Sequence, residues 1–221
     1  MADTGLIAVR ERIAEAAQRA VRSPGEISLV VVTKYASDAE VEEVVAGGAT
    51  DLGETRADSI VARAGRFDGV RWHFVGRLQG NKVRKVRPVT DLLHSLDRAE
   101  LAGYWGGADV IPPVLVQVNV GGEPQKGGIS PSSAAALVEL CIESGLAVRG
   151  LMTVPPRPTS PQEARPWFES LRLLRDSIAL DHPGVRELSM GMSDDFEAAV
   201  AEGATILRVG RAIFGPVRSE G

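Results

Sequence analysis

The chain has 221 residues, 44% of them hydrophobic, with 25 Lys+Arg against 29 Asp+Glu and a formal net charge of −4. That balance gives no electrostatic pull toward nucleic acid or an anionic membrane, and no apolar run reaches the ~20 residues of a membrane helix. The single cysteine, Cys141, excludes an internal disulfide framework and fits a reducing cytoplasm, as does an opening segment without signal-peptide character.

The first amphipathic stretch covers residues 4–22, where Leu6, Ile7, Ile13, Ala17 and Val21 recur at roughly helical spacing among charged residues. Pro24-Gly25 breaks it, and the β-branched run Ile27–Lys34 reads as a strand. Ser37 or Asp38 caps a helix that reaches Ala46 and stops at Gly47-Gly48. The cycle then recurs. Strands are predicted at Asp51–Glu54, Arg71–Val75, Leu92–Leu96, Val114–Val118, Val148–Thr153, Glu187–Ser189 and Thr205–Val209, and helices at 56–64, 81–86, 97–103, 131–144, 162–179, 194–202 and 211–214. Eight strand-then-helix units predict an α/β fold, a (β/α)8 TIM barrel. Residues 1–221 form one domain in this reading, with residues 1–25 as an extra helix outside the barrel. About 250 residues is typical of that fold, so this is a compact version. A doubly wound open sheet is the rival, but it usually has fewer strands, and its Gly-x-Gly-x-x-Gly turn is absent after the first strand.

Barrel active sites lie at the C-terminal ends of the strands. There are 21 arginines and only four lysines, at 34, 82, 85 and 126, so a lysine ending the first strand is conspicuous. Strand alternation puts Val30, Val32 and Lys34 on one face and Ile206 and Arg208 on one face. If both faces point inward, Lys34 and Arg208 converge at the mouth. Two adjacent cations favour the neutral amine, which can capture an aldehyde, and they call for an electron-rich ligand between them. On spacing alone, a lysine snorkelling to solvent explains Lys34 equally well. After the seventh strand, Ser189-Met-Gly-Met-Ser193 offers a glycine (Gly191), backbone N–H groups and hydroxyls. After the eighth, Gly210-Arg211 opens a short helix. These two loops commonly build the phosphate site of a barrel, although Ser193 before Asp194-Asp195 also reads as an ordinary N-cap. A phosphate site facing an aldehyde-capturing lysine points to pyridoxal 5′-phosphate (PLP).

The remaining candidates carry less. His73, His94 and His182 show no close ligand spacing, so no metal site is expected. His73 reads equally as an inward core histidine or a site residue. Cys141 falls on an apolar helix face and reads as an inert buried thiol. Arg77, Lys82, Arg84, Lys85 and Arg87 form a basic cluster anchored by Val83 and Val86, read as a solvated helix face. Lys126 reads as an exposed loop lysine.

Several segments together are highly specific: Val30-Val-Val-Thr-Lys34, Leu52-Gly-Glu54, Trp72-His-Phe-Val-Gly-Arg-Leu-Gln-Gly-Asn-Lys-Val83, His94-Ser95, Val116-Gln-Val-Asn119, Gly150-Leu-Met-Thr153, Leu188-Ser-Met-Gly-Met-Ser-Asp-Asp195, Arg208-Val-Gly210 and Ala212-Ile-Phe-Gly215. In these the chain resembles the pyridoxal phosphate homeostasis protein family (the PROSC family) from about Ile27 to Gly215. The resemblance implies a fold-type III, alanine-racemase-type PLP barrel. It implies an imine on Lys34, phosphate held around Ser193, Gly210 and Arg211, and Arg208 facing the pyridine nitrogen. The chain departs from the family pattern where Tyr35-Ala36 follows Lys34, where Thr55 stands in place of an asparagine, and where Arg211 replaces a hydroxyl residue.

Two function classes follow. One is a non-catalytic PLP carrier in the cytoplasm, a monomer that buffers the cofactor and delivers it to apo-enzymes. The other is a PLP-dependent amino-acid racemase. Racemization through two bases needs a group on each face of the substrate. Lys34 serves one face, Tyr35 points to the opposite side if the strand continues, Tyr104 lies away from the mouth, and the barrel motifs leave no residues for a second domain. A nucleic-acid or protein binder using the basic cluster is a third reading, and it predicts no chromophore.

Overall fold

Eight strands pair in parallel, each with its sequence neighbours, and β8 returns to β1 to close a barrel. The computed structural model describes residues 2–157 and 159–216. The order is α1 (Ala2–Arg19), β1 (Ser28–Val32), α2 (Asp38–Ala46), β2 (Asp51–Glu54), α3 (Ala57–Arg63), β3 (Arg71–Phe74), α4 (Val83–Val86), β4 (Leu92–Leu96), α5 (Ala99–Gly106), β5 (Val114–Gln117), α6 (Pro131–Glu143), β6 (Val148–Met152), α7 (Pro161–Asp181), β7 (Glu187–Ser189), α8 (Phe196–Ala201), β8 (Ile206–Val209) and α9 (Arg211–Phe214). All eight predicted strands form, and closure excludes the open sheet.

The closing register sets Val30 of β1 beside Arg208 of β8. Inside the barrel, Val30, Leu92, Leu115, Met152 and Ile206 pack into an apolar plug. The larger core lies between the outer strand faces and the helices, where Val31, Leu52, Phe74, Leu93, Val116, Leu151 and Leu188 meet helical residues such as Val41, Ile60 and Phe168. β1, with Val30 in the plug and Val31 in the outer core, is thus apolar on both faces, which explains its continuous valine run.

Helix ends follow local chemistry. Ser37 caps α2 with a reciprocal box: its hydroxyl accepts from the Glu40 N–H and the Glu40 carboxylate accepts from the Ser37 N–H. The helix predicted at 81–86 is shorter and is flanked by 3₁₀ turns at Gly80–Lys82 and Arg87–Val89, the second containing Pro88. The first helix ends at Arg19, before Val21, which adopts φ 55° and is exposed. Its buried stripe is Ala2, Leu6, Val9, Ile13, Ala16 and Ala17; Ile7 faces solvent, contrary to the periodicity reading.

Helix α1 packs outside the barrel against α2, α8 and α9. Arg12 fastens it to α8, donating from Nε to Glu197 at 2.9 Å, with its guanidinium 4.5 Å from the Phe196 ring centroid. Leu6 is fully buried at this seam. Leu6→Ala is expected to lower stability by about 2–5 kcal/mol, the usual range for a buried leucine truncation. Urea denaturation at constant slope measures it, and ligand titration of the folded variant should be unchanged.

Candidate functional site: the barrel mouth

Lys34 does not sit on β1. The strand stops at Val32, and the Ala36 N–H bonds back to the Thr33 carbonyl at 3.0 Å, enclosing Lys34 and Tyr35 in a turn. Lys34 is exposed, with Nζ 5.0 Å from the Tyr35 ring centroid. Tyr35 therefore lies beside Lys34 rather than on the opposite face; the condition for the opposite placement, a continuing strand, is not met. The turn is rigidly held. Arg63 of α3 donates to the Thr33 carbonyl at 2.8 Å and to the Ala36 carbonyl at 2.5 Å, bracketing Lys34. Arg63 also pairs with the fully buried Glu54 carboxylate at 2.7 Å, which accepts from the Thr33 hydroxyl at 2.7 Å. Sequence reasoning passed over Arg63. The available hint was Glu54, a carboxylate ending a buried strand, which demands a cation.

Arg208 occupies a different depth. It is 4% exposed, and its in-register neighbour Val30 lies four residues before Lys34. Its Nη1 donates to Ser189 Oγ at 2.6 Å and its Nη2 to the Thr153 carbonyl at 2.7 Å, both at the C-terminal ends of strands. Burial lowers its pKa to about 10. Among the described residues no carboxylate lies within ion-pair distance of it. Five N–H donors with two hydrogen bonds made leave donors over, at a site that excludes water from the charge. The inward-facing cation was foreseen; the strand alternation used for Lys34 does not apply, because β1 ends at Val32 and Lys34 lies in the turn after it.

Behind Arg208 runs a hydrogen-bonded file through the barrel. Ser189 Oγ meets His94 Nδ1 at 2.8 Å, His94 Nε2 meets His73 Nδ1 at 2.9 Å, and His73 Nε2 meets Asp51 Oδ1 at 2.8 Å. The step from β4 to β7 crosses the lumen. His73 has both ring nitrogens engaged, so it reaches the mouth only through His94 and Ser189. The close His73–His94 pair is invisible in a spacing of 21 residues; the hint was that each is the third residue of its strand, β3 and β4, in adjacent parallel strands. Burial foremost, then the proximity of His73 and Arg208, holds the His94 pKa well below the ordinary imidazole value. Burial pushes the Asp51 carboxyl upward, but hydrogen bonds from His73, Arg71 and Thr50 outweigh it and hold the pKa below the carboxylate range.

The two loops beside Arg208 are tied to each other. Gly191 has φ 94°, a conformation suited to glycine, and its carbonyl accepts from the Arg208 N–H at 3.0 Å. Ser193 does not cap α8. Asp195 holds the N-cap position, its Oδ1 accepting from the Met192 N–H at 2.6 Å, and Ser193 Oγ instead accepts from the Ala212 N–H at 3.1 Å, joining the two loops. Burial raises the Asp195 pKa, and its Oδ2 has no partner. Gly210 passes so close to β1 that a Cβ there would lie 2.7 Å from the Val32 carbonyl oxygen. Only bare backbone fits. The Arg211 side chain is exposed and pairs with Asp194, leaving its N–H free at the start of α9. Thr55 is half-buried on the loop after β2, its N–H donating to Glu54 Oε2 at 3.3 Å. A buried cation, a hydroxyl and a spare backbone donor on two adjoining loops, with an exposed amine on the turn after β1, fit a phosphorylated aldehyde whose ring carries a hydrogen-bond acceptor.

Other candidates resolve differently. Lys126 is tethered rather than free: Nζ donates to the Pro155 carbonyl at 2.6 Å and pairs with Glu123 at 2.8 Å. In the basic cluster Val83 and Val86 are buried and Arg84 and Lys85 exposed, as expected. Arg87 departs from that reading by donating to the Tyr104, Trp105 and Gly107 carbonyls, which closes the C-terminus of α5. Cys141 is buried, and burial raises its thiol pKa to about 11. Among the described residues no cluster suits a metal ion, and no helix is long and apolar enough to cross a membrane.

No protein-family model matches the chain. Sequence relatives do. The pyridoxal phosphate homeostasis protein of Aquifex aeolicus is 39% identical over 215 residues, 94% of this chain and 94% of the relative. The chain belongs to the pyridoxal phosphate homeostasis protein family. The family's Escherichia coli K12 member is 38% identical over 226 residues, covering 95% of this chain and 94% of its own. Among solved structures, PipY of Synechococcus elongatus PCC7942 with PLP bound has TM-score 0.78 and 31% identity, over 92% of this chain and 100% of PipY. Alanine racemase from Corynebacterium glutamicum has TM-score 0.71 at 14% identity, and this chain spans 62% of it; that likeness is one of fold.

The buried file makes stability depend on pH. The folded His94 value lies below its unfolded value near 6.5, so as pH falls the unfolded chain takes up a proton that the folded chain refuses. The His94 contribution is complete above about pH 6.5 and shrinks below it, by at most ~1.4 kcal/mol per pH unit. Urea midpoints between pH 7 and pH 5.5 should therefore fall more steeply for the parent than for His94→Gln.

Proposed function

We propose that this chain binds PLP at the barrel mouth and serves PLP homeostasis as a non-catalytic buffer and carrier. The observation that carries the reading is Arg208, a buried guanidinium with no carboxylate partner among the described residues, held by Ser189 and the Thr153 carbonyl at the ends of β7 and β6. Family membership supports it, as does the PLP-bound PipY. Lys34 provides the amine that bonds the aldehyde carbon. Ser193 and the Gly210 and Arg211 backbone hold the phosphate, with Gly191 shaping that cradle. Arg208 faces the ring nitrogen, Thr55 lines the loop beside the ring, and His73 acts through the file behind Arg208. When bound, the cofactor supplies a reactive aldehyde and an electron-accepting ring. An arginine at the ring nitrogen disfavours its protonation and so weakens the ring as an electron sink, which suits storage over turnover. Residues 1–221 act in this reading as one cofactor-binding unit, a cytoplasmic monomer whose recipients are apo-enzymes that need PLP.

The racemase reading has one observation in its favour, the Tyr35 ring lying against the Lys34 amine. Both groups come from one turn and share one side of the mouth, whereas two-base exchange needs acceptors on opposite faces.

Borohydride reduction of the PLP-loaded protein followed by peptide mass mapping should place the pyridoxyl group on Lys34. Label on Lys82, Lys85 or Lys126 instead would sink the assignment. Pyridoxal without phosphate should bind at least ~100-fold more weakly, since two charge-assisted hydrogen bonds at roughly 1.5 kcal/mol each are lost. Equal affinity for the two aldehydes in an absorbance titration would remove the phosphate site.

A separate assay addresses catalysis. Holo-protein incubated with an L-amino acid in D₂O should give no sustained D-isomer formation, while PLP passes measurably to an apo-enzyme. Racemization at about 1 s⁻¹ or faster would establish the racemase reading in place of the carrier.

A further inference from the structure

Arg208 is an obligate donor, and Asp51, ionised, is an obligate acceptor. They stand at the two ends of one file: Arg208 Nη1 to Ser189 Oγ, Ser189 Oγ to His94 Nδ1, His94 Nε2 to His73 Nδ1, His73 Nε2 to Asp51 Oδ1. Fixed ends determine every link between them. His73 must carry its proton on Nε2 to meet the carboxylate, which leaves its Nδ1 as a lone pair. His94 must then donate from Nε2, which leaves its Nδ1 as a lone pair. Ser189 must give its only proton to that nitrogen and turn a lone pair toward Arg208. With both imidazoles neutral, each contact has one donor and one acceptor. Reversing any link turns a lone pair toward a carboxylate or a proton toward a guanidinium.

We propose that Ser189, His94, His73 and Asp51 are positioning residues for the ligand site: a one-directional hydrogen-bond relay that locks Arg208 in place from the opposite end of the barrel. The proposal rests on the PLP reading above. The relay starts at the barrel floor, where Asp51 opens β2 and pairs with Arg71 at 2.8 Å; the Arg71 side chain is 63% exposed. It ends where Arg208 retains unused donors toward the mouth. The charged or titratable groups in contact with it are those two arginines and Asp51, with the Asp195 carboxyl acting on Arg208 through space. Its two imidazoles are nearly sealed from water, His73 at 5% and His94 at 0% exposure. Burial holds the His94 pKa below its usual value, which agrees with a neutral ring. The relay also gives Arg208 a neutral acceptor in place of a carboxylate. Its full charge thus stays available to the ligand instead of being spent in an ion pair.

The test begins with the whole ligand-free protein. Long-range ¹H–¹⁵N spectra of labelled protein at pH 7 should show His73 and His94 both neutral and both protonated on Nε2. An imidazolium, or an Nδ1–H tautomer at either residue, overturns the relay. PLP titration then asks whether the relay serves the site. Ser189→Ala and His94→Leu should weaken PLP binding about tenfold or more, the size of one charge-assisted hydrogen bond, and shift the visible band. His94→Gln, whose amide can accept from Ser189 and donate to His73, should recover most of both. Wild-type affinity and spectrum in Ser189→Ala and His94→Leu would overturn the positioning role. So would a His94→Gln variant no better than His94→Leu. If wild-type protein gives no PLP chromophore, the PLP reading fails, while the tautomer assignment is judged separately on the spectra.

Discussion

A guanidinium buried without a carboxylate partner among the described residues is the constraint to which the rest of this barrel is fitted. An isolated charge taken out of water carries a penalty of several kcal/mol even after relaxation. The chain meets that penalty with neutral acceptors: the Ser189 hydroxyl and the Thr153 carbonyl. Placing those two groups fixes the ends of β7 and β6, and the Ser189 hydroxyl in turn requires the histidine behind it. The apolar plug of Val30, Leu92, Leu115, Met152 and Ile206 fills the space the polar file leaves. One charge thus accounts for a large part of what faces inward.

Outside the barrel, arginines do a second kind of work. Arg63 ties α3 to the turn after β1, Arg87 gathers the last carbonyls of α5, and Arg12 fastens α1 to α8. Each spreads a planar fork over several acceptors, which a lysine cannot do. The excess of arginine over lysine, 25 basic residues of which four are lysine, has this structural reading. It also leaves amines scarce, so that few nitrogens in the molecule can compete for an aldehyde.

The architecture was largely legible in the sequence because strand and helix segments alternate eight times along the chain. Asp51–Glu54, Leu92–Leu96 and Glu187–Ser189 coincide with their predicted bounds. Ends set by turn chemistry were harder to read. Lys34 looked like a strand residue because alternation does not reveal the Ala36–Thr33 hydrogen bond that turns the chain away. Ser193 looked like an N-cap, but Asp195 holds that position without a side-chain cap, and its carboxylate turns back to the Met192 N–H. Arg208, Gly191 and Gly210 were accessible from strand order and loop composition. Arg63 and Asp51 were not, since their partners lie on other elements and no local spacing records such contacts; Glu54 and His94 offered only the indirect hints of a buried carboxylate and a matching strand position.

The clamp that Arg63 places on both sides of Lys34 has a kinetic consequence. The backbone there is pinned at the Thr33 and Ala36 carbonyls, while the lysine side chain projects into solvent. Moving the amine between partners then needs rotation about side-chain bonds, which takes picoseconds to nanoseconds, and no opening of a lid. In the proposed carrier reading, loading and unloading at such a fixed, exposed lysine would be governed by the barrier of bond exchange itself. Solvent viscosity, which slows large-scale motions of a chain, should leave the rate almost untouched.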